Sequence, residues 1–160
     1  CCPVADFCYA RQNGCYGELP VKKPKKKRTI EEKTVLVIQD GSKTVLKKRP
    51  DEGLLAGMYE FPTMQGFCTA EEVNAYLADN GLKAIRILPL EDAKHIFTHK
   101  DWHMKGYMVR VDELEPKQPG RDSDSWIYIE PQETKERYPI PTAFLAYTKS
   151  LNIKLGNDFR

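Results

Sequence analysis

The sequence contains no apolar run close to the roughly 20 residues that a membrane-spanning helix needs. It also lacks the apolar core of a secretory signal, and no segment of the chain repeats. These absences argue against an integral membrane protein and a repeat protein. The 160 residues are 41% hydrophobic, which suits one globular domain with a tail. Because the first residue is not Met, we expect a fragment of a longer protein.

Acidic residues are missing from residues 21–28, which read VKKPKKKR. This segment holds six of the 25 basic residues, so the other 19 stand against 23 acidic ones and the remaining chain is net negative. A polyanion would therefore meet this segment first. A solvated linker and a nuclear-import-like run are the other interpretations. The candidate phosphate contacts are Lys22, Lys23, Lys25, Lys26, Lys27 and Arg28.

Four of the five cysteines lie in the first fifteen residues. Without a secretory signal, metal ligation or free thiols are more plausible than a disulfide framework. The five residues between Cys2 and Cys8 fit the last gap of the iron–sulfur loop of DNA glycosylases. Two thiolates cannot hold a four-iron cluster, so Cys2 and Cys8 would be part of a ligand set completed upstream. A zinc remnant and ordinary thiols remain open.

Hydrophobic periodicity predicts a mixed sheet with two helices, an α+β or α/β/α sandwich of roughly 125 residues. A capping box at Thr69 starts the first helix, and the second covers residues 142–151. Predicted strands occupy residues 34–38, 43–48, 58–62, 84–88, 95–98, 102–111 and 126–129. The predicted organisation is a cysteine loop at 1–17, a basic connector at 18–30, a globular domain at 31–155 and a tail at 156–160.

Residues 53–62 form a glycine-bounded loop that leads into an aromatic strand and stops at proline. This stretch is similar to the beginning of the Nudix motif, whose enzymes hydrolyse pyrophosphates with magnesium held by several glutamates. The motif requires a glutamate six residues after Gly57, where this chain has Thr63. The following helix offers only Glu71 and Glu72, a pair that also suits a helix N-terminus. A divergent nucleotide pyrophosphohydrolase is thus an alternative hypothesis.

All three histidines lie within nine residues, beside Phe97, Thr98 and Trp102. Imidazole, hydroxyl and aromatic groups can read a nucleobase by hydrogen bonding and stacking. The even spacing of His95 and His99 on a strand also permits a zinc site. A nucleophile–base pair formed by Thr98 and His99 is another option, as are histidines with a purely structural role.

These features occur in the same order in the C-terminal part of the MutY family of adenine DNA glycosylases. The chain resembles that part over nearly its whole length. The resemblance rests on Cys2 to Val4 with Cys8, on residues 19–22 of the connector, on residues 47–50 with 53–62, and on the segment His95, Ile96, Phe97, Thr98, His99. The last segment is similar to the H-x-F-S-H hairpin of that family.

The resemblance implies a Nudix-like domain that recognises 8-oxoguanine opposite adenine in double-stranded DNA. It also implies a protein that acts in the cytoplasm, at the nucleoid of a bacterium. Phe97, Thr98 and His99 would lie at the lesion, with Thr98 replacing the commoner serine. The parent protein would carry a 4Fe–4S cluster and an N-terminal catalytic domain that flips and removes the adenine. Since that domain is missing here, this chain is not expected to excise adenine or to hold the cluster. A protein-interaction domain without DNA contacts is the third hypothesis.

Overall fold

The computed structural model describes residues 2–21, 27–112, 114, 126–135 and 137–151. Three α-helices and seven strands lie within these ranges. They are α1 (Tyr9–Gln12), β1 (Thr29–Gln39), β2 (Thr44–Lys48), β3 (Tyr59–Glu60), β4 (Thr63–Gln65), α2 (Ala70–Asp79), β5 (Ala84–Ile96), β6 (Lys100–Val111), β7 (Trp126–Ile129) and α3 (Leu145–Leu151). None of the described helices is long and apolar enough to span a membrane.

The seven strands form one mixed sheet in the order β3-β2-β1-β6-β5, with β4 pairing β1 and β7 pairing β2. Strands β1 and β6 run parallel over the whole of β1, and the other pairs are antiparallel. Val35, Leu36, Val37 and Ile38 of β1 are fully buried. A continuous apolar run of this kind is typical of a central strand that is covered on both faces.

Two hydrophobic cores lie on opposite faces of the sheet. Leu36 and Ile38 pack with Val73 and Leu77 of α2 on one face. Val35 and Val37 pack on the other face with the residues around α3, including Phe144 and Tyr147. The predicted α+β sandwich with a mixed sheet between two helices is therefore confirmed.

Three local expectations differ from the structure. Residues 84–88 and 95–98 were expected to form separate strands, but β5 is continuous from Ala84 to Ile96 and the chain turns at Phe97. The strand tolerates Pro89 because it lies at the sheet edge and shifts register at two irregularities. The expected strand at residues 58–62 is divided by Pro62 into β3 and β4. Strand β1 begins at Thr29, five residues before the predicted start.

The capping box of α2 is confirmed. The Thr69 hydroxyl accepts a hydrogen bond from the Glu72 amide at 3.3 Å, and the Glu72 carboxylate accepts one from the Thr69 amide at 2.7 Å. Of the predicted phosphate contacts, Lys22, Lys23, Lys25 and Lys26 lie outside the described residues, as does the predicted tail at 156–160. Lys27 and Arg28 are described and lead directly into β1.

Candidate functional site

The turn between β5 and β6 consists of Phe97, Thr98 and His99. The Phe97 amide donates to the Lys100 carbonyl at 2.7 Å, which closes the turn. The Thr29 amide donates to the His99 carbonyl at 3.1 Å, which ties the turn to β1 as well. Phe97 is half-buried, whereas Thr98 and His99 are exposed. The backbone is thus fixed on both sides while the hydroxyl and the imidazole face solvent.

The Phe97 ring rests against Trp102. Their ring centroids are 4.8 Å apart with planes at 69°, and the centroid of the His95 ring lies 4.5 Å from that of Phe97. Edge-to-face contacts of this kind contribute beyond the area that they bury. Trp102 is only 1% exposed, so it forms a fixed support beneath the turn.

The Glu31 carboxylate contacts three side chains near the turn, those of Trp102, Lys100 and Lys33. The Trp102 indole N–H donates to Oε2 of Glu31 at 2.9 Å, and Lys100 donates to Oε1. Lys33 Nζ lies 3.6 Å from the same carboxylate. The hydrogen bond from Lys100 is the main reason why the pKa of Glu31 lies below its ordinary value, against the opposing effect of partial burial.

Lys33 occupies the space over the indole. Its ammonium lies 4.1 Å from the centroid of the Trp102 ring, within the range of a cation–π contact. Burial lowers the pKa of Lys33, because desolvation disfavours the ammonium, and the Glu31 carboxylate offsets this only in part. The support beneath the turn therefore consists of the Trp102 indole and the charged groups of Glu31, Lys33 and Lys100. Glu31 and Lys33 belong to β1, and Lys100 follows the turn.

The glycine-bounded loop at residues 53–57 lies across a cavity from the same turn. Arg49 donates from Nε to the Leu54 carbonyl at 3.1 Å and forms an ion pair with Glu60. Its guanidinium carbon lies 5.5 Å from the Trp102 ring centroid. A cavity of about 390 Å³ separates the loop from the turn, and it is lined by Gly53, Leu54, Phe97, Thr98, His99 and Lys100. The glycine-bounded loop and the histidine-rich segment, both identified in the sequence, thus face each other across one cavity.

A larger open cavity of about 1010 Å³ also borders the turn. Its polar lining includes an ion pair, with Arg28 Nε 3.7 Å from Oδ1 of Asp101. Ile30 and Ile96, both more than half exposed, flank Asp101 on the neighbouring strands and form an apolar floor. The cavity is lined by Lys27, Arg28, Ile30, Ile96, Phe97, Thr98, His99 and Asp101. The end of the basic connector and the turn therefore border the same space.

The acidic residues of α2 are few and partly engaged. Within Ala70–Asp79 the first turn holds Glu71 and Glu72, and Glu72 is part of the capping box. The exposed Glu71 has a lowered pKa, because its carboxylate accepts a hydrogen bond from its own backbone amide. These contacts are those of a helix N-terminus rather than of a metal-binding array.

Metal-binding alternatives receive no support from the described residues. No group of three or more His, Cys, Asp or Glu side chains is arranged there to hold a metal ion. This counts against zinc at His95 and His99. Cys2 is exposed and Cys8 partly buried, and both are free thiols. A four-iron cluster takes four thiolates, and the assignment of two of them to Cys2 and Cys8 stays a prediction.

Glu31, Lys33 and Arg49 were not predicted to support the turn. Arg49 lay within a recognised motif, but its contact with Leu54 and with Trp102 gives it a role that spacing does not reveal. Glu31 is 71 residues from Trp102 in the chain, so only the parallel pairing of β1 with β6 brings them together. The available signal was the charged run from Glu31 to Lys33, directly before the apolar run of β1.

Comparison with known proteins agrees with this architecture. The family model for the NUDIX domain matches residues 34–150. The C-terminal domain of mouse MUTYH, solved in complex with human PCNA, is 23% identical with a TM-score of 0.54, over 75% of this chain and 88% of that one. The NUDIX domain of Shewanella oneidensis NrtR, solved with ADP ribose, is 16% identical with a TM-score of 0.56, over 87% and 97%. A MutT NUDIX hydrolase from Burkholderia pseudomallei is 15% identical with a TM-score of 0.57, over 76% and 98%. The match to the family model covers most of the chain, which belongs to the NUDIX family.

Proposed function

We propose that this chain is the lesion-recognition part of an A/G-specific adenine DNA glycosylase and reads 8-oxoguanine opposite adenine. The observation that carries the proposal is the shared cavity of about 1010 Å³, which Phe97, Thr98 and His99 line together with Lys27 and Arg28. Groups that read a base and groups that contact phosphate thus border the same space. The similarity in fold to the C-terminal domain of mouse MUTYH supports the proposal.

The chemistry of the turn suits this lesion. 8-Oxoguanine differs from guanine by a donor at N7 and an oxygen at C8. The exposed Thr98 hydroxyl can accept from the first and donate to the second, an exchange that guanine cannot reciprocate. Relative to serine, the extra methyl of Thr98 restricts rotation about χ1 and narrows the approach of the base.

Phe97 and His99 complete the reading surface. Phe97 packs against the rings of Trp102 and His95, so its exposed part can stack on a base without first losing much conformational freedom. His99 is exposed next to Thr98 and offers a second hydrogen-bonding edge. In this proposal the turn supplies selectivity, while the connector supplies affinity that depends on salt and not on sequence.

The proposal assigns the remaining steps to other parts of a longer parent. Excision of adenine would take place in a separate catalytic domain. The parent's iron–sulfur cluster would use Cys2 and Cys8 with two further thiolates, and reading of the lesion at the turn would not require it. In a bacterial cell the parent would act at the nucleoid. PCNA is the partner of the mouse protein in its solved complex, and we assign no such partner to this chain.

A nucleotide pyrophosphohydrolase is the second candidate, and membership of the NUDIX family favours it. That chemistry needs several carboxylates around a divalent cation. Helix α2 supplies Glu71 and Glu72 in its first turn, and the second of these is held by the Thr69 amide. Helix α2 therefore supplies fewer free carboxylates in its first turn than the reaction requires. Lesion recognition, in contrast, gives a role to Phe97, Thr98 and His99.

Fluorescence anisotropy with two labelled duplexes tests the proposal. One duplex carries 8-oxoguanine opposite adenine, and the other carries guanine in the same place. We expect tighter binding to the lesion duplex. Both affinities should fall when the salt concentration is raised, but the ratio between them should persist. Equal affinity for the two duplexes at every salt concentration would contradict lesion recognition by this chain.

A further inference from the structure

Three polar side chains form a row across the sheet at the end remote from the turn. Gln39 of β1 pairs in register with Arg110 of β6, and Arg110 pairs with Arg86 of β5. Gln39 is 5% exposed. The row lines a small cavity of about 150 Å³ together with the apolar side chains of Leu88 and Met108.

A β-bulge places the two arginines opposite each other. Ala84 pairs with Val111, but the register then shifts so that Arg86, rather than Ile85, faces Arg110. Without the extra residue, Arg86 would point to the opposite face of the sheet. Bulges commonly redirect a side chain next to a functional site, so the irregularity itself calls for an explanation.

The positive charge of the row is uncompensated in the described part of the chain. Among those residues, neither Arg86 nor Arg110 forms an ion pair or a side-chain hydrogen bond, and the Gln39 amide has no hydrogen-bond partner. Like charges directly opposite each other on neighbouring strands destabilise a sheet. An anion bound in the cavity that both arginines line would reduce that repulsion.

The β1–β2 turn limits where the Arg110 guanidinium can go. A Cβ atom on Gly41 would lie only 2.9 Å from its Nη2, so the glycine provides the space that the guanidinium occupies. Gly41 also has a φ of 112°, a conformation that suits glycine. Arg110 is therefore packed against backbone on one side and is open to the cavity on the other.

We propose that Gln39, Arg110 and Arg86 bind a phosphoryl group, with Leu88 and Met108 contacting the organic part of its bearer. Two planar guanidinium groups can each donate two hydrogen bonds to phosphoryl oxygens, and the amide can donate another. Ten residues of β6 separate Arg110 from Lys100, which corresponds to about 33 Å. The row is thus remote from the lesion-reading turn, and the proposal does not depend on it.

A nuclear magnetic resonance titration of the full chain with sodium pyrophosphate tests this site. We expect the side-chain amide signals of Gln39 and the Nε–H signals of both arginines to shift together and to saturate. Arg110→Gln should weaken the binding by about tenfold, the effect of losing charge-assisted hydrogen bonds. Arg110→Lys keeps the charge but not the planar guanidinium, so its affinity for pyrophosphate should lie between those of the wild type and of Arg110→Gln. Lys83→Gln removes one exposed charge outside the row and serves as the matched control.

The bearer of the phosphoryl group is distinguished by a second titration with an undamaged DNA duplex. Shifts at Gln39 with both probes would assign the row to a backbone phosphate of DNA. Shifts with pyrophosphate alone would assign it to a free phosphate ester. The proposal is overturned if neither probe moves the Gln39 signals, or if Lys83→Gln weakens pyrophosphate binding as much as Arg110→Gln does.

Discussion

The ring of Phe97 meets the ring of Trp102 at 4.8 Å between centroids, with their planes at 69°. Phe97 belongs to the exposed turn, whereas Trp102 is buried and donates its indole N–H to Glu31. This relationship connects the surface that we propose to read the lesion with a charged support on β1. Changes to Trp102 or Glu31 should therefore affect the turn without altering any residue that we propose to contact DNA.

Replacement of the Thr98 hydroxyl should reduce lesion preference more than total affinity for DNA. Thr98→Ala removes both the donor and the acceptor, so we expect the preference for 8-oxoguanine over guanine to fall by roughly 1–3 kcal/mol. Thr98→Ser retains the hydroxyl and should retain the preference. Anisotropy titrations with the two duplexes provide the measurement, and equal preference in Thr98→Ala and the wild type would count against the role of Thr98.

Neutralisation of the connector should have the opposite effect. Replacing Lys25, Lys26 and Lys27 by glutamine removes charge from the proposed phosphate contacts, so affinity for both duplexes should fall and the dependence on salt should flatten. Lesion preference should remain nearly constant. A comparable loss of preference in this variant and in Thr98→Ala would show that the roles of turn and connector are not separate.

Glu31→Gln should remove part of the acid sensitivity of the fold. The folded-state pKa of Glu31 is depressed below its ordinary value of 4.5, so its carboxylate stabilises the fold above that value. This contribution is lost as pH falls through the depressed pKa. We expect the wild type to be more stable by about 1 kcal/mol at neutral pH, with the difference shrinking in acid. Urea unfolding at a series of pH values measures both quantities, and a difference that is independent of pH would contradict the prediction.

Gly106→Ala should destabilise the contact between the sheet and α3. A Cβ atom at Gly106 would lie 2.3 Å from Cε1 of Tyr147, whose hydroxyl donates to the Met104 carbonyl at 3.1 Å. Overpacking of this kind costs about 1–3 kcal/mol of unfolding free energy. Gly17→Ala, where no atom lies within 4 Å of the added carbon, is the control. Denaturant unfolding should show a loss for Gly106→Ala alone.

Magnesium-dependent hydrolysis of nucleoside triphosphates distinguishes the second candidate function. If α2 holds no catalytic metal, the wild type and a double variant with Glu71→Gln and Glu72→Gln should release product at the same background rate. The double variant keeps an acceptor for the Thr69 amide, so the capping box is only partly weakened. Turnover in the wild type that the double variant lacks would favour the hydrolase.

The capping box and the central strand could be predicted from sequence because their signals are local. Thr69 and Glu72 are three residues apart and bond to each other. The apolar run of β1 reflects burial on both faces, which needs no knowledge of the partners. The turn at Phe97 was also singled out by its composition, although it was assigned to the end of a strand.

The support beneath the turn could not be predicted because it depends on distant pairings. Parallel strands such as β1 and β6 are joined by long connections, so the sequence does not give their register. That register places Glu31 beside Trp102. The continuity of β5 was missed for a related reason, since an edge strand can absorb Pro89 and an irregular register that a central strand would not tolerate.

The most direct test is a nuclear magnetic resonance titration of this chain with the lesion duplex and with its guanine counterpart. The proposed function predicts shifts at Phe97, Thr98 and His99 that occur only with 8-oxoguanine, together with shifts at Lys27 and Arg28 that occur with both duplexes. Identical shifts with the two duplexes, confined to the basic connector, would show that the turn does not read the lesion in this chain.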